Sequence, residues 1–430
     1  MQYIRYPKEE DIPALITRPH FDHTALTDTV RGVLNDVRER GDSAVFDYEE
    51  QFDHVRLDSL QVSEKELAEA ESLVGEDLKQ AIRQAKENIA AFHAAQDQPL
   101  PSVETMPGVR CWQKAVAIEK VGLYIPGGTA PLFSTVLMLA VPARIAGCRE
   151  IVLCTPPNRE GKVHPAVLFA ATVAGVSRIF KIGGVQAIGS MAYGTETVPK
   201  VYKIFGPGNQ YVTAAKQMVS LSDVAIDMPA GPSEVEVIAD ETSNPAFVAA
   251  DLLSQAEHGA DSQAILVTTS DELAEKVVKE VEEQLERLPR KELASKSLSH
   301  SRIILVEDRG AVVRLTNAYA PEHLIISARN PHEIADAVTN AGSIFIGPYT
   351  CESAGDYASG TNHTLPTSGY AHAYSGVNLD SFRKKMTYQE IDAKGLTNIG
   401  AIVETMAEAE QLFAHRNAMT LRLQSLEKQS

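Results

Sequence analysis

An α/β fold with two parallel sheets and helical segments at both ends is predicted, and three observations predict it. From roughly Ala115 onward, short apolar strands alternate with helices of about ten residues, the mark of parallel βαβ units. A second series of the same kind starts near Ser233. The chain before the first series and the tail after the second instead carry apolar residues at helical spacing, with Glu, Lys and Gln on the opposite face.

Taken in order, Thr24–Glu50 and Glu64–Ala95 read as amphipathic helices. AVAIEKVGLYIPGG follows as a strand that runs into glycines, and LFSTVLMLAVPARIAG as an apolar helix. The strands REIVLC, SRIFKI and KVYKIF then alternate with the helices HPAVLFAATVAG, VQAIGSMAYG and NQYVTAAKQMV. The second series sets the strands EVEVIAD, QAILVTT, RIILVED, HLIISA and SIFIG between helices such as NPAFVAADLLSQAEHG and DELAEKVVKEVEEQLERL. From about Tyr388 the tail reads as helical, through QEIDAKGL and AIVETMAEAEQLFAHRNAMTLRLQSL. Such an arm is suited to packing on a partner subunit.

The 430 residues allow two to four domains and ample core. Hydrophobic residues at 44% suit a globular chain. A net charge of −17 and the lack of a basic cluster argue against nucleic acid as partner. The longest apolar stretch, near Val136–Ala143, is broken by Pro142 and falls short of the roughly 20 residues a membrane span needs. MQYIRYPKEED has no apolar core of an export signal, so a cytoplasmic location is expected. Cys111, Cys148, Cys154 and Cys351 form no CxxC, which leaves nitrogen and oxygen as the donors of any metal site.

Three strand-to-helix junctions are rich in glycine: Tyr124–Gly128, Ile182–Gln186 and Gly206–Asn209. Glycine lets backbone approach a ligand closely, and the helix start that follows favours phosphate. Such turns also need glycine for purely structural reasons. The dinucleotide fingerprint GxGxxG is missing, because Tyr211 stands where its third glycine belongs in GPGNQY, and there is no P-loop. Any NAD site therefore departs from the usual Rossmann mode.

Four segments carry candidate chemistry. Gln255 and His258 are three apart on one helix, although His258 beside Gly259 could simply favour a helix C-terminus. Glu322 and His323 follow a proline at a strand edge, where an imidazole beside a carboxylate suits general base work. Asp356 and His363 lie in the small-residue stretch GDYASGTNH, where Asp356 could equally stabilise a turn. Glu410 and His415 lie on the terminal helix, about 140° apart around it, so that without a bend they cannot share a face.

Together these segments resemble the histidinol dehydrogenase family over nearly the whole chain. IDMPAGPSEV running on through DLLSQAEH looks like the family's signature region, and GPGNQYV, NAYAPEHL, GDYASGTNHTLPT and AEAEQLFAHRNAM follow the family order. The resemblance implies four-electron oxidation of L-histidinol to L-histidine through an enzyme-held aldehyde, with two NAD and one zinc per site. It implies Gln255, His258, Asp356 and His415 as zinc ligands, a nitrogen and oxygen set that also suits manganese or cobalt. Zinc would hold the substrate's imidazole and amine, so its role would be positioning. His323 would be the general base and Glu322 would activate the water that hydrates the aldehyde. Ser233, Gln255, His258, His323, Asp356, His363, Glu410 and His415 would contact substrate, and Tyr124, Gln186 and Asn209 would contact NAD.

The resemblance further implies two Rossmann-like parallel-sheet domains. Residues 121–232 would form a cofactor domain inserted into a discontinuous main domain, 21–120 and 233–377, with arms at 1–20 and 378–430. A homodimer would let the terminal arm reach the neighbouring site. Three other readings compete: a related zinc and NAD enzyme acting on another small polar alcohol or diol, an aldehyde dehydrogenase with a cysteine nucleophile, and a metal-binding scaffold that has lost catalysis. His363 with Glu410 favours histidinol over the first, Cys111, Cys148 and Cys154 have no matching signature for the second, and intact Glu322 and His323 oppose the third.

Overall fold

The computed structural model describes residues 1–19, 23–127, 130–229 and 231–428. Gly128 of the first glycine turn, Ala230 of the signature stretch and the expected boundary between residues 20 and 21 lie outside the described residues.

Along the chain come β1 (Gln2–Arg5), α1 (Ile12–Leu15), α2 (His23–Arg40), α3 (Asp42–Phe52), α4 (Glu64–Leu73), α5 (Glu76–Ala94), β2 (Ser102–Met106), β3 (Val109–Ala117) and β4 (Lys120–Tyr124). The first βαβ series continues with α6 (Phe133–Ala146), β5 (Glu150–Thr155), α7 (Pro165–Ala174), β6 (Arg178–Lys181), α8 (Gly184–Tyr193), β7 (Lys203–Phe205), α9 (Gln210–Ser220) and β8 (Ala225–Ile226). The second comprises β9 (Glu234–Ala239), α10 (Pro245–Ala256), β10 (Gln263–Thr268), α11 (Asp271–Leu285), α12 (Lys291–His300), β11 (Arg302–Leu305), α13 (Arg309–Tyr319), β12 (His323–Ser327), α14 (Pro331–Ala335), β13 (Ser343–Ile346) and α15 (Glu352–Tyr357). The chain ends with β14 (Arg383–Ile391), α16 (Ala393–Ala409) and α17 (Phe413–Glu427).

The predicted α/β class with two parallel sheets is what the chain adopts. One sheet has the order β6-β5-β4-β7-β8 and the other β1-β11-β10-β9-β12-β13, with every pairing parallel. Both belong to one compact unit, residues 1–95 and 118–382. Strands β9, β10 and β12 are buried at every residue, which is why they read as mainly apolar runs, with Glu234 and Glu236 of β9 as buried acids. Side chains alternate across each sheet. Val121 and Leu123 pack under α5, α6 and α7, whereas Tyr124, Val152 and Cys154 join the core of α2, α3, α8 and α9. Val235 and Val237 meet α10 and α11 on one face of the larger sheet, and Ile238 and Ile265 meet α13 on the other.

The second unit comprises residues 96–117 and 383–430. Here β14, β3 and β2 form an antiparallel sheet, with β14 paired to β3 along all of Arg383–Ile391. The Asp392 side chain caps α16, accepting from the Gly395 amide at 2.8 Å. Gly400 lets α16 approach α17, since a Cβ there would lie 2.7 Å from Leu423.

Five expectations need correction. Residues 2–5 are a strand of the larger sheet, not part of a helical arm. AVAIEKVGLYIPGG divides between β3 and β4, which belong to different sheets. Residues Tyr388–Ile391 extend β14 instead of starting the helical tail. The long helices of the first hundred residues break, at Gly41 with φ of 56° and at Val74–Gly75, and the tail breaks between Ala409 and Phe413, where Gln411 has φ of 61°. Finally, α2–α5 share their cores with the five-stranded sheet, not with the second series to which residues 21–120 were assigned, because their apolar stripes meet α6–α9.

Candidate active site

Two sheet edges of opposite polarity supply the functional groups. The glycine turns follow β4, β6 and β7, so they lie at the carboxyl edge of the five-stranded sheet, where helices begin. Glu234 and His323 are the first residues of β9 and β12, at the amino edge of the larger sheet, where α10 ends with Gln255. Helix starts favour anions and helix ends favour cations. The two edges thus suit a phosphate-bearing cofactor and a metal ion respectively.

The fold presents Glu322 and His323 from a tight turn. α13 ends at Ala320 in the left-handed region, with φ of 51°, and Pro321 prevents the helix from continuing. Both side chains are then seated on the backbone of one residue, Glu234. The Glu234 amide donates to Glu322 Oε2 at 2.8 Å, and His323 Nδ1 lies 3.2 Å from the Glu234 carbonyl oxygen. A carbonyl can only accept, so Nδ1 carries the hydrogen and Nε2 is left free in a neutral ring. That Nε2 is buried, lacks a hydrogen-bond partner and sits 3.6 Å from Asp356 Oδ1.

Burial raises the pKa of Glu322 to about 8, and that of Glu352 to about 8 as well. For His323, burial works downward, but the Glu352, Glu322 and Asp356 carboxylates outweigh it and raise the imidazole to about 10. Burial likewise opposes ionisation of Asp356, yet the imidazoles of His323, His363 and His258 hold it below the usual carboxylate range. His258 is open to solvent on one side, while surrounding protein lowers its pKa by desolvation.

One atom each of His258, Glu352 and Asp356 fall within 4.8 Å of one another. Gln255 is fully buried, and neither its Oε1 nor its Nε2 has a partner. Glu352 Oε2 is unpartnered too. Orphaned buried polar atoms beside an imidazole and two carboxylates fit a cation that takes nitrogen and oxygen donors. Of the expected ligands, Gln255 and His258 flank the end of α10 and Asp356 stands on α15, in the same unit. His415 lies in the second unit on α17, with Glu410 just past the end of α16; both are exposed, and the bend between them removes the facing problem read from a continuous helix.

His363 makes two bonds. Its Nδ1 is 3.0 Å from the Asp356 carbonyl and its Nε2 3.1 Å from Thr135 Oγ1, near the start of α6. Ser233 is partly buried and immediately precedes β9.

At the other edge, Tyr124, Gln186 and Asn209 all line one cavity of about 1040 Å³, together with Asp53, Pro126, Gly127 and Gly184. Tyr124 Oη accepts from the Gly184 amide at 3.0 Å, and Asn209 Oδ1 caps α9. Gln186 Nε2 donates to Glu49 Oε1 at 2.9 Å, and its own Oε1 is buried without a partner. Glu49 also accepts from the Gly183 amide at 3.0 Å, so a residue of α3 holds the second glycine turn in shape. Cys154 is buried under this turn region, and burial drives its thiol well above the usual range, which removes it as a nucleophile.

Sequence reasoning missed Glu49, Glu234 and Glu352. Glu352 could have been found, being four residues before Asp356 and hence on the same helix face. Glu234 and Glu236 were visible as acids inside an otherwise apolar strand.

A family model described as histidinol dehydrogenase matches residues 16–423. The chain is 64% identical over 426 residues to a histidinol dehydrogenase of Bacteroides thetaiotaomicron, covering 99% of this chain and all of that one. It is 64% identical over 428 residues to one of Bacteroides fragilis, covering 100% of both. The crystal structure of histidinol dehydrogenase from Elizabethkingia anophelis is similar with a TM-score of 0.98 and 53% identity over 99% of each chain.

Proposed function

The chain belongs to the histidinol dehydrogenase family, and from that premise we propose that it oxidises L-histidinol to L-histidine through L-histidinaldehyde, using zinc and two NAD, at the end of histidine biosynthesis. The observation that carries this reading is the pairing of Glu322 and His323 on the Glu234 backbone, beside the His258, Glu352 and Asp356 cluster.

Gln255, His258 and Asp356 would hold the metal, with His415 of the partner subunit in a homodimer completing the set. When bound, zinc supplies a Lewis-acidic anchor for the substrate's imidazole and amine, and NAD supplies the hydride acceptor. His323 Nε2 takes the hydroxyl proton as the carbinol carbon loses hydride, which leaves the aldehyde. Glu322 takes a proton from water as that water adds to the aldehyde, protonated His323 returns its proton to the carbonyl oxygen to complete the hydrate, and the neutral His323 then deprotonates the hydrate as the second hydride leaves for a second NAD. A base must be unprotonated, and the carboxylates around His323 hold it protonated when uncompensated. Positive charge held at Asp356 and its neighbours lowers that barrier. Tyr124, Gln186 and Asn209 would contact NAD, with the unpartnered Gln186 Oε1 available as an acceptor.

Substrate contacts would come from Ser233 and His363, and from Glu410 of the partner subunit. Four cysteines with no disulfide among them suit a reducing compartment, and the cytoplasm is the proposed location. Among the described residues no helix is long and apolar enough to cross a membrane.

The test is NADH formed per L-histidinol, before chelation, after it and with zinc restored. Two NADH per substrate, lost on chelation and regained with zinc, is the expected result. No NADH from the metal-loaded protein would move the assignment to another small alcohol. Mixing Glu322→Gln with His415→Ala protein tests the shared site: mixed dimers regain activity if the arm crosses between subunits.

A further inference from the structure

Glu234 links the reactive pair to a residue that the proposed chemistry does not use. Its carboxylate is buried and gripped by Arg18, with Nε 2.6 Å from Oε1 and Nη2 2.8 Å from Oε2. Arg18 Nη2 also donates to the Tyr319 carbonyl at 2.6 Å, and its guanidinium lies 4.1 Å from the centre of the Tyr319 ring. Oε1 takes a further bond from the Ser368 amide at 2.6 Å. The backbone of the same Glu234 bonds both Glu322 and His323.

Burying an ion pair is costly against an apolar pair of similar size, so packing alone does not account for it. A bidentate guanidinium and carboxylate contact fixes direction as well as distance. Arg18 is itself anchored from three sides by Glu234, Tyr319 and its ring, and so gives the first residue of β9 a rigid footing.

We propose that Arg18 is a positioning residue: by clamping the Glu234 side chain it fixes the backbone of Glu234, whose amide sets the aim of Glu322 and whose carbonyl sets the tautomer of His323. This rests on the reading of those two residues as the proton-transfer pair. Misplacing reacting groups by about 1 Å can cost on the order of a hundredfold in rate, so a loosened clamp shows in kcat.

The experiment uses the full-length, zinc-loaded protein with Arg18→Lys and Arg18→Met. Lysine keeps the charge but not the two-pronged contact. Steady-state turnover with L-histidinol and NAD is measured together with zinc content and the ¹⁵N resonances of the His323 ring, assigned by their loss in His323→Gln. The expected result for Arg18→Lys is kcat lowered about tenfold, KM for NAD and zinc content unchanged, and a moved His323 Nδ1 resonance. Arg18→Met loses more. If Arg18→Met does not fold, Arg18→Lys decides alone. Folded Arg18→Lys with kcat within about twofold of the parent and an unmoved resonance overturns the proposal. Retained turnover in His323→Gln overturns the reading of the base instead; lost turnover there with unaffected Arg18 variants overturns only the clamp.

Discussion

Thr135 Oγ1 lies 3.1 Å from His363 Nε2, and this contact joins the two halves of the site. Thr135 stands near the start of α6, just beyond the first glycine turn, while His363 follows the acid-bearing α15. His363 Nδ1 must donate to the Asp356 carbonyl, so Nε2 of the neutral ring accepts from the threonine hydroxyl. Burial keeps this imidazole below its usual pKa and therefore neutral.

Thr135→Val removes that hydroxyl at nearly constant shape. If Thr135 orients His363 toward substrate, KM for L-histidinol rises about fivefold, the worth of roughly 1 kcal/mol for one net hydrogen bond, with KM for NAD unchanged. Initial rates with each substrate varied in turn check this. A fall in KM would mean that the hydroxyl competes with the substrate for Nε2.

Gln255 yields a prediction of opposite sign with and without metal. Its two amide atoms are buried and unpartnered, and such groups cost about 1–3 kcal/mol. Gln255→Met keeps the volume and deletes them. The metal-free variant should be more stable than the metal-free parent by about 1–3 kcal/mol, while its zinc affinity drops. Urea unfolding after chelation and competition with a chromophoric chelator measure the two effects. A less stable apo variant with unchanged affinity would rule Gln255 out as a ligand.

The sequence showed the parallel sheets because their central strands are buried on both faces and leave mainly apolar runs, interrupted on β9 only by Glu234 and Glu236. It did not show β14, whose RKKMTYQEI is charged and mostly exposed, and which finds its partner β3 far away in sequence. Nor did it show that Glu234 seats both Glu322 and His323, since that role belongs to its backbone, which any residue type supplies. The proposal of Gln255 as a metal ligand rests on resemblance; the structure adds two unpartnered amide atoms that fit it.

Glu236 gives a pH dependence of stability. It is fully buried on β9, receives a bond from Thr316, and burial raises its pKa to about 8. The folded protein therefore holds this proton at pH values where the unfolded chain has released it. Its contribution is fully present below the ordinary carboxylate pKa and is lost as pH rises toward about 8, with slope set by proton linkage. Glu236→Gln should flatten that loss, by on the order of a few kcal/mol between pH 5 and 8. Glu322 and Glu352 titrate alike in both proteins, so the difference between parent and variant isolates Glu236. Urea midpoints at both pH values are the measurement, and parallel pH profiles would falsify the assignment.

Gly342 controls the height of Glu322. Its amide donates to the Pro321 carbonyl at 2.9 Å, and the Ser343 amide donates to the Glu322 carbonyl at 2.9 Å. A Cβ on Gly342 would fall 2.5 Å from the Glu322 carbonyl oxygen and 3.2 Å from Leu365 Cβ. The oxygen is backbone and cannot swing aside, so Gly342→Ala must move the peptide that carries Glu322. Overpacking of this kind costs about 1–3 kcal/mol of stability. The kinetic effect should separate the two oxidations. Glu322 is assigned to hydration of the aldehyde, so oxidation of supplied L-histidinaldehyde slows more than the first oxidation of L-histidinol. Single-turnover NADH traces from each substrate resolve the steps. Equal slowing of both would place the effect on His323, the next residue along, rather than on Glu322.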